Sequence, residues 1–120
     1  MITVRRNIPA LPDLVFATAA EPGRLADWLP EPLDLVGVND EVLILRYDGR
    51  LTQVRVVADL DLLRLSWVPL ADHGFGITLR VSPLGVGKSV AELECPDEHL
   101  ADRLLDALAS EVQAAFPTSG

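Results

Sequence analysis

Glu92 and Glu94 are the residues of this chain best placed to do chemistry, because two carboxylates two positions apart share one face of a strand. A carboxylate turned into an apolar interior would serve as a general acid or a ligand anchor. The turn before them decides the face. If it is Leu84-Gly85, Val90 falls opposite Leu79 and Glu92 opposite Ile77, on the inner side. If it is Pro83-Leu84-Gly85, Ser89, Ala91 and Leu93 face inward instead. Burying an unpaired carboxylate is costly, so the second register is the expected one.

The other reactive side chains lack partners. His73 and His99 have no further ligands at metal-site spacing, so both are expected on the surface and no metal is expected. Cys95 stands beside Pro96 and near the start of a helix, where a thiol pKa can fall, but no base accompanies it and a packed, inert thiol is expected. Ser66, Ser82 and Ser89 have no nucleophile context. Gly85, Gly87, Lys88 and Ser89 end like a phosphate-cradling loop, which needs a glycine where Ser82 stands and a backbone donor that Pro83 lacks. A Gly-rich hairpin is expected there, and no nucleotide. Neither a catalytic residue nor a cofactor is assigned.

Bulk properties narrow the class. The 120 residues suit one domain with its own core, spanning 1–117, with 118–120 as a loose tail. An apolar content of 49% against 23% charged residues excludes disorder, and 5% aromatic residues make the interior mostly aliphatic. The net charge of −8 argues against nucleic acid or an anionic membrane as partner, since phosphate attraction needs clustered cations. No run approaches the ~20 apolar residues of a membrane span. Arg5 and Arg6 before the apolar run 8–20 mimic an export signal, but Pro9, Pro12 and Asp13 interrupt it. With a single cysteine there is no intramolecular disulfide, and a cytoplasmic location is expected.

The elements that must position any site follow from periodicity. Asp48-Gly49 is a two-residue hairpin signal that sets Tyr47 opposite Arg50, Leu45 opposite Thr52 and Leu43 opposite Val54. Leu43, Leu45, Tyr47, Thr52, Val54 and Val56 then share one face, and Val42, Ile44, Arg46, Leu51, Gln53 and Arg55 the other. A turn at 59–62 pairs Ala58 with Leu63, Val56 with Leu65 and Val54 with Trp67, which brings Leu63, Leu65 and Trp67 to the apolar face. After a loop at 69–74, Ile77, Leu79 and Val81 alternate with polar residues, and a last strand follows at 88–94. Asp97 caps a long helix with the stripe Leu100, Leu104, Leu105, Leu108, Val112 and Phe116, ended by Pro117.

The opening is the most specific part. A strand at 2–8 runs into Pro9 and Pro12, which open a helix with Leu14, Val15 and Ala19 on its apolar side. Pro22 starts a second helix with Leu25, Trp28 and Leu29 on one face, ending before Pro30. This strand, the two short helices, the strand meander and the closing helix resemble the START/SRPBCC superfamily, which includes birch-pollen-allergen-like proteins, polyketide cyclases and heat-shock-protein ATPase activator homologues. The resemblance covers residues 2–116. It implies an α+β helix-grip fold: a curved antiparallel sheet of about six to seven strands, with the long C-terminal helix packed on its concave face.

It also implies a function. In that family the space between sheet and helix takes hydrophobic molecules, so the expected activity is binding of a small hydrophobic ligand. The expected lining is Trp28, Leu43, Leu45, Tyr47, Val54, Leu65, Trp67, Phe75, Leu79, Leu104 and Leu108. Two alternatives come with the resemblance. One is a polyketide cyclase or dehydratase, with Glu92, Tyr47 or Thr52 as the polar group. The other is a co-chaperone-like module that meets a protein partner through its acidic surface.

Overall fold

The computed structural model describes residues 2–31, 33–70 and 76–115. Strand β1 (Ile2–Ile8) is followed by helices α1 (Pro12–Ala20) and α2 (Pro22–Trp28). Strands β2 (Leu33–Asn39), β3 (Val42–Tyr47), β4 (Arg50–Asp59), β5 (Arg64–Pro69), β6 (Ile77–Pro83) and β7 (Ser89–Cys95) come next, and helix α3 (Glu98–Ala115) last. The seven strands form one antiparallel curved sheet in the order β1-β7-β6-β5-β4-β3-β2, so β1 crosses over to pair with β7. Both short helices carry proline in their first turn, where the missing N–H costs nothing. The chain between β1 and α1 is pinned by the neighbouring strand β7, where the buried Ser89 hydroxyl donates to the Ala10 carbonyl.

The β3–β4 hairpin has the predicted register throughout, with Asp48 and Gly49 both at positive φ (52° and 78°), the backbone of a tight hairpin turn. The β4–β5 register differs from expectation by two residues. Val56 stands opposite Trp67, Ala58 opposite Leu65 and Val54 opposite Pro69. The cause lies in the turn. Asp59 Oδ1 accepts from the backbone N–H groups of Asp61 and Leu62, at 3.0 and 3.1 Å, and Leu63 takes a φ of 50°, so the connection is 60–63 and closes on Asp59 opposite Arg64. A two-residue shift preserves the faces, and Leu65 and Trp67 remain inside, while Leu63 sits half-buried in the turn.

Ser89, Ala91, Leu93 and Cys95 point inward from β7, as the expected register requires. The connection is longer than either turn considered. It runs over 84–88, closed by the Leu84 N–H donating to the Lys88 carbonyl, and sets Leu93 opposite Leu79 and Ala91 opposite Val81. The Gly-rich segment is thus a hairpin between two strands. Strand β2 shifts register between Leu35 and Gly37, leaving Val36 as the extra residue of a bulge, while Leu33, Leu35 and Gly37 remain its more buried positions. Gly76 is required at the entry to β6: a Cβ there would lie 2.8 Å from the Trp67 carbonyl oxygen.

Helix α3 buries Leu100, Ala101, Leu104, Leu105, Leu108 and Val112, and Asp97 Oδ1 accepts from the His99 N–H as its cap. Phe116, Pro117 and the tail 118–120 lie outside the described residues, as do His73 and Phe75. The helix lies against β1, β7 and α1. Charged contacts rim it: Arg6 with Asp106, Arg24 with Glu111 at 3.4 Å, and Arg103 donating to the Glu31 carbonyl at 2.9 Å. Among the described residues, no helix is long and apolar enough to cross a membrane.

Candidate functional site

Beneath the middle of α3, packing between helix and sheet leaves one small apolar space. Leu104, Leu105 and Leu108 border it from the helix; Leu65 and Trp67 of β5, with Ile77 and Leu79 of β6, border it from the sheet. Leu93 of β7, Ala19 of α1 and Trp28 of α2 complete the lining. The space measures about 20 Å³, enough for one water-sized molecule. Close packing of six leucines and two indoles therefore fills most of the volume that a ligand would occupy.

Six of the residues expected to contact a ligand meet here: Trp28, Leu65, Trp67, Leu79, Leu104 and Leu108. Leu43, Leu45 and Val54 are fully buried in the same core but do not border the space. Phase of the strand alternation made Ile77 and Leu93 legible as inward-facing, and the helix stripe contained Leu105, though none was expected to touch a ligand. Ala19 was legible as a residue on the apolar side of the first helix, though it was not expected to touch a ligand either.

Two polar atoms stand out within the lining. The indole nitrogens of Trp28 and Trp67 are out of contact with solvent, and among the described residues neither has a hydrogen-bond partner. Trp67 is 2% exposed. Buried indole N–H groups ordinarily find an acceptor, so two unmet donors in one core are unusual.

Tyr47 belongs to a different place, an open cleft of about 630 Å³ at the start of α3 with Glu31, Asp97, His99 and Arg103 around it. Its hydroxyl donates to Asp97 Oδ2 at 3.3 Å. Burial, and then the Asp97 carboxylate, push the phenol pKa above its ordinary value, so Tyr47 stays protonated at neutral pH. His99 is exposed, and among the described residues no three His, Cys, Asp or Glu side chains gather as a metal site.

Glu92 lies on the outer side of the sheet, where it accepts from Arg5 Nε at 2.8 Å. An exposed pair of this kind contributes little. Glu92→Gln is accordingly expected to change stability by less than about 1 kcal/mol, measured by urea unfolding at pH 7; a larger change would mean that the carboxylate is needed by the fold.

Cys95 is free and fully buried, and burial pushes its thiol pKa up, with the backbone N–H of Asp97 acting in the opposite sense. The unfolded chain releases this proton at the ordinary thiol pKa of about 8.5 while the folded chain keeps it. The stabilisation is complete below that pH and is lost as pH rises through the higher folded value. Urea midpoints should hold steady from pH 7 to about 8.5 and then fall, and Cys95→Ala should flatten the decline; Tyr47 adds the same sign at higher pH. A midpoint that rises with alkali would contradict this.

The architecture compares closely with solved structures. It is similar to the ZhuI aromatase/cyclase from Streptomyces sp. R1128, at 13% identity over 99% of this chain and 96% of that one, with a TM-score of 0.71. It is similar to a START superfamily protein from Mycobacterium smegmatis, at 13% identity over 95% and 97% of the two chains and a TM-score of 0.68. The fold is the START helix grip. The same helix grip is shared with the Aha1 dimer protein from Colwellia psychrerythraea, at 14% identity over the whole of both chains and a TM-score of 0.59. At these identities the likeness is one of fold. No protein-family model and no curated protein matches the helix-grip chain by sequence.

Proposed function

We propose that this protein binds a small, uncharged hydrophobic molecule between the concave face of the sheet and α3, around Trp28, Trp67, Leu104 and Leu108. The observation that carries the reading is an apolar space bordered by helix and sheet in the interior of a helix-grip fold. The likeness to an aromatase/cyclase supports a hydrophobic ligand in this position. The described lining supplies no acid, base or nucleophile. Glu92 faces outward and Tyr47 opens on another cleft, which is why binding is put forward ahead of a cyclase or dehydratase reaction. The single buried thiol is consistent with a reducing, cytoplasmic setting.

The space as packed seats only one water-sized molecule, so a ligand enters as α3 moves away from the sheet. Affinity is then reduced by the fraction of molecules in which the helix has moved. The test is thermal unfolding of the full chain with a series of bicyclic and aliphatic hydrophobes, each followed also by Trp emission. A bound ligand at about a hundred times its Kd stabilises by about 2.7 kcal/mol, a rise of several degrees in Tm. If every compound leaves Tm and emission untouched, the binding proposal fails, and a stoichiometric protein partner in a pull-down would favour the interaction-module alternative.

A further inference from the structure

The outer face of the sheet, turned away from α3, carries opposite charges in an arrangement that fits a second copy of itself. We infer that this chain forms a symmetric homodimer through the outer face of β2–β5, with Arg55 of each protomer meeting Glu41 of the other. The inference is independent of ligand binding beneath α3.

At the β2–β3 turn an open cleft of about 560 Å³ is lined by Asn39, Asp40, Glu41, Val42 and Arg55. Arg55 stands opposite Val42 on β3 and Val68 on β5, so the three share the outer face. Asp40, Glu41 and Arg55 are all exposed, and among the described residues none of them forms an ion pair. Opposite charges thus line one cleft without neutralising each other. A two-fold axis through the cleft sets Arg55 against the partner's Glu41 and Glu41 against the partner's Arg55, the reciprocity of a symmetric interface.

Apolar side chains surround these charges. Val36, Val57 and Val68 are 48%, 49% and 44% exposed, and Val42 and Ile44 are half-buried on the strand between β2 and β4. Single exposed valines need no explanation, but neighbours on adjacent strands around an arginine have the composition of an interface. The bulge at Val36 interrupts pairing along the β2 edge, so a second copy docks face to face. Four strands at about 4.8 Å and six residues at about 3.4 Å make a face of about 19 by 20 Å, small beside the roughly 800 Å² per partner of a standard interface. The dimer is therefore weak, at the micromolar end of the affinity range.

Sedimentation equilibrium of the full chain tests this. Between about 5 μM and about 1 mM the average mass is expected to rise from one chain toward two. Arg55→Glu and Glu41→Arg each set like charges across the interface twice, and each should weaken the dimer about tenfold or more. In an equimolar mixture each variant supplies the charge that the other lacks, and the mixed dimer should return to within about threefold of wild-type affinity. Val68→Asp, which touches neither ion pair, should weaken self-association as well. A chain that stays monomeric to about 1 mM, its face then free for a different protein, would overturn the inference. So would a dimer that neither reversal weakens, or reversals whose mixture fails to recover.

Discussion

Ending the chain at Cys95 should yield a polypeptide with no cooperative unfolding transition. The deletion removes Leu100, Leu104, Leu105, Leu108 and Val112, each almost fully buried. Burial of a large aliphatic side chain contributes about 1.5–3 kcal/mol, so together these five are worth about 8–15 kcal/mol, as much as the whole stability of a small domain at about 5–15 kcal/mol. The loss is compounded on the sheet, where Leu65, Trp67, Leu79 and Leu93 would meet water. The ion pairs of Arg6 with Asp106 and Arg24 with Glu111 vanish too, but as partly exposed contacts they matter little beside the apolar term. Circular dichroism through a thermal ramp measures the outcome. A sharp sigmoidal melt of the fragment would show that the sheet folds without its helix.

The second large effect is at Leu108, which borders the small space from the helix and is 2% exposed. Leu108→Ala should destabilise by about 2–5 kcal/mol, because the transfer term is lost and a cavity is added. The same substitution widens the space between α3 and the Trp67 face, so a bicyclic ligand should bind more tightly to the variant and recover part of its lost stability. Leu108→Trp acts in reverse: a filled site overpacks, costing about 1–3 kcal/mol and excluding ligand. Urea unfolding of each variant with and without indan-1-one separates the two effects. A ligand that stabilises wild type and Leu108→Trp equally binds elsewhere.

What could be read in the sequence was local or periodic. Asp48-Gly49 specifies its turn chemically, and the register of β3 and β4 follows from that turn alone. Pro22 and Pro30 bracket α2, and Asp97 with the leucine stripe defines α3, each by a mechanism confined to one turn or one face. Prediction erred where turn chemistry was cryptic. Asp59 has no glycine beside it, and the left-handed residue of its turn is Leu63, a residue type that gives no warning of that conformation. Strand β2 was obscured because apolar Val36 and Val38 stand at its exposed positions, which hides the alternation. The faces of β4 and β5 survived the first surprise, because a shift of two residues keeps every side chain on its side.

The candidate site was legible to the same extent. Period-2 and helical patterns brought Leu65, Trp67, Leu79, Leu104 and Leu108 to one interior, and the helix order suggested Trp28 as their neighbour. The size of the space was beyond pattern reasoning, since it depends on how far α3 settles onto the sheet. So was the isolation of the two indole nitrogens, because an acceptor for either would come from residues distant in sequence.

The central claim is that a small hydrophobic molecule binds beneath α3, and a chemical-shift map of the ¹⁵N,¹³C-labelled full chain titrated with indan-1-one tests it most directly. The account predicts saturable shifts centred on the side chains of Trp28, Trp67, Leu104 and Leu108, fading toward the outer sheet residues Arg55 and Val57. Shifts confined to the open cleft at Tyr47 and Asp97, or no saturable shift anywhere, would contradict it.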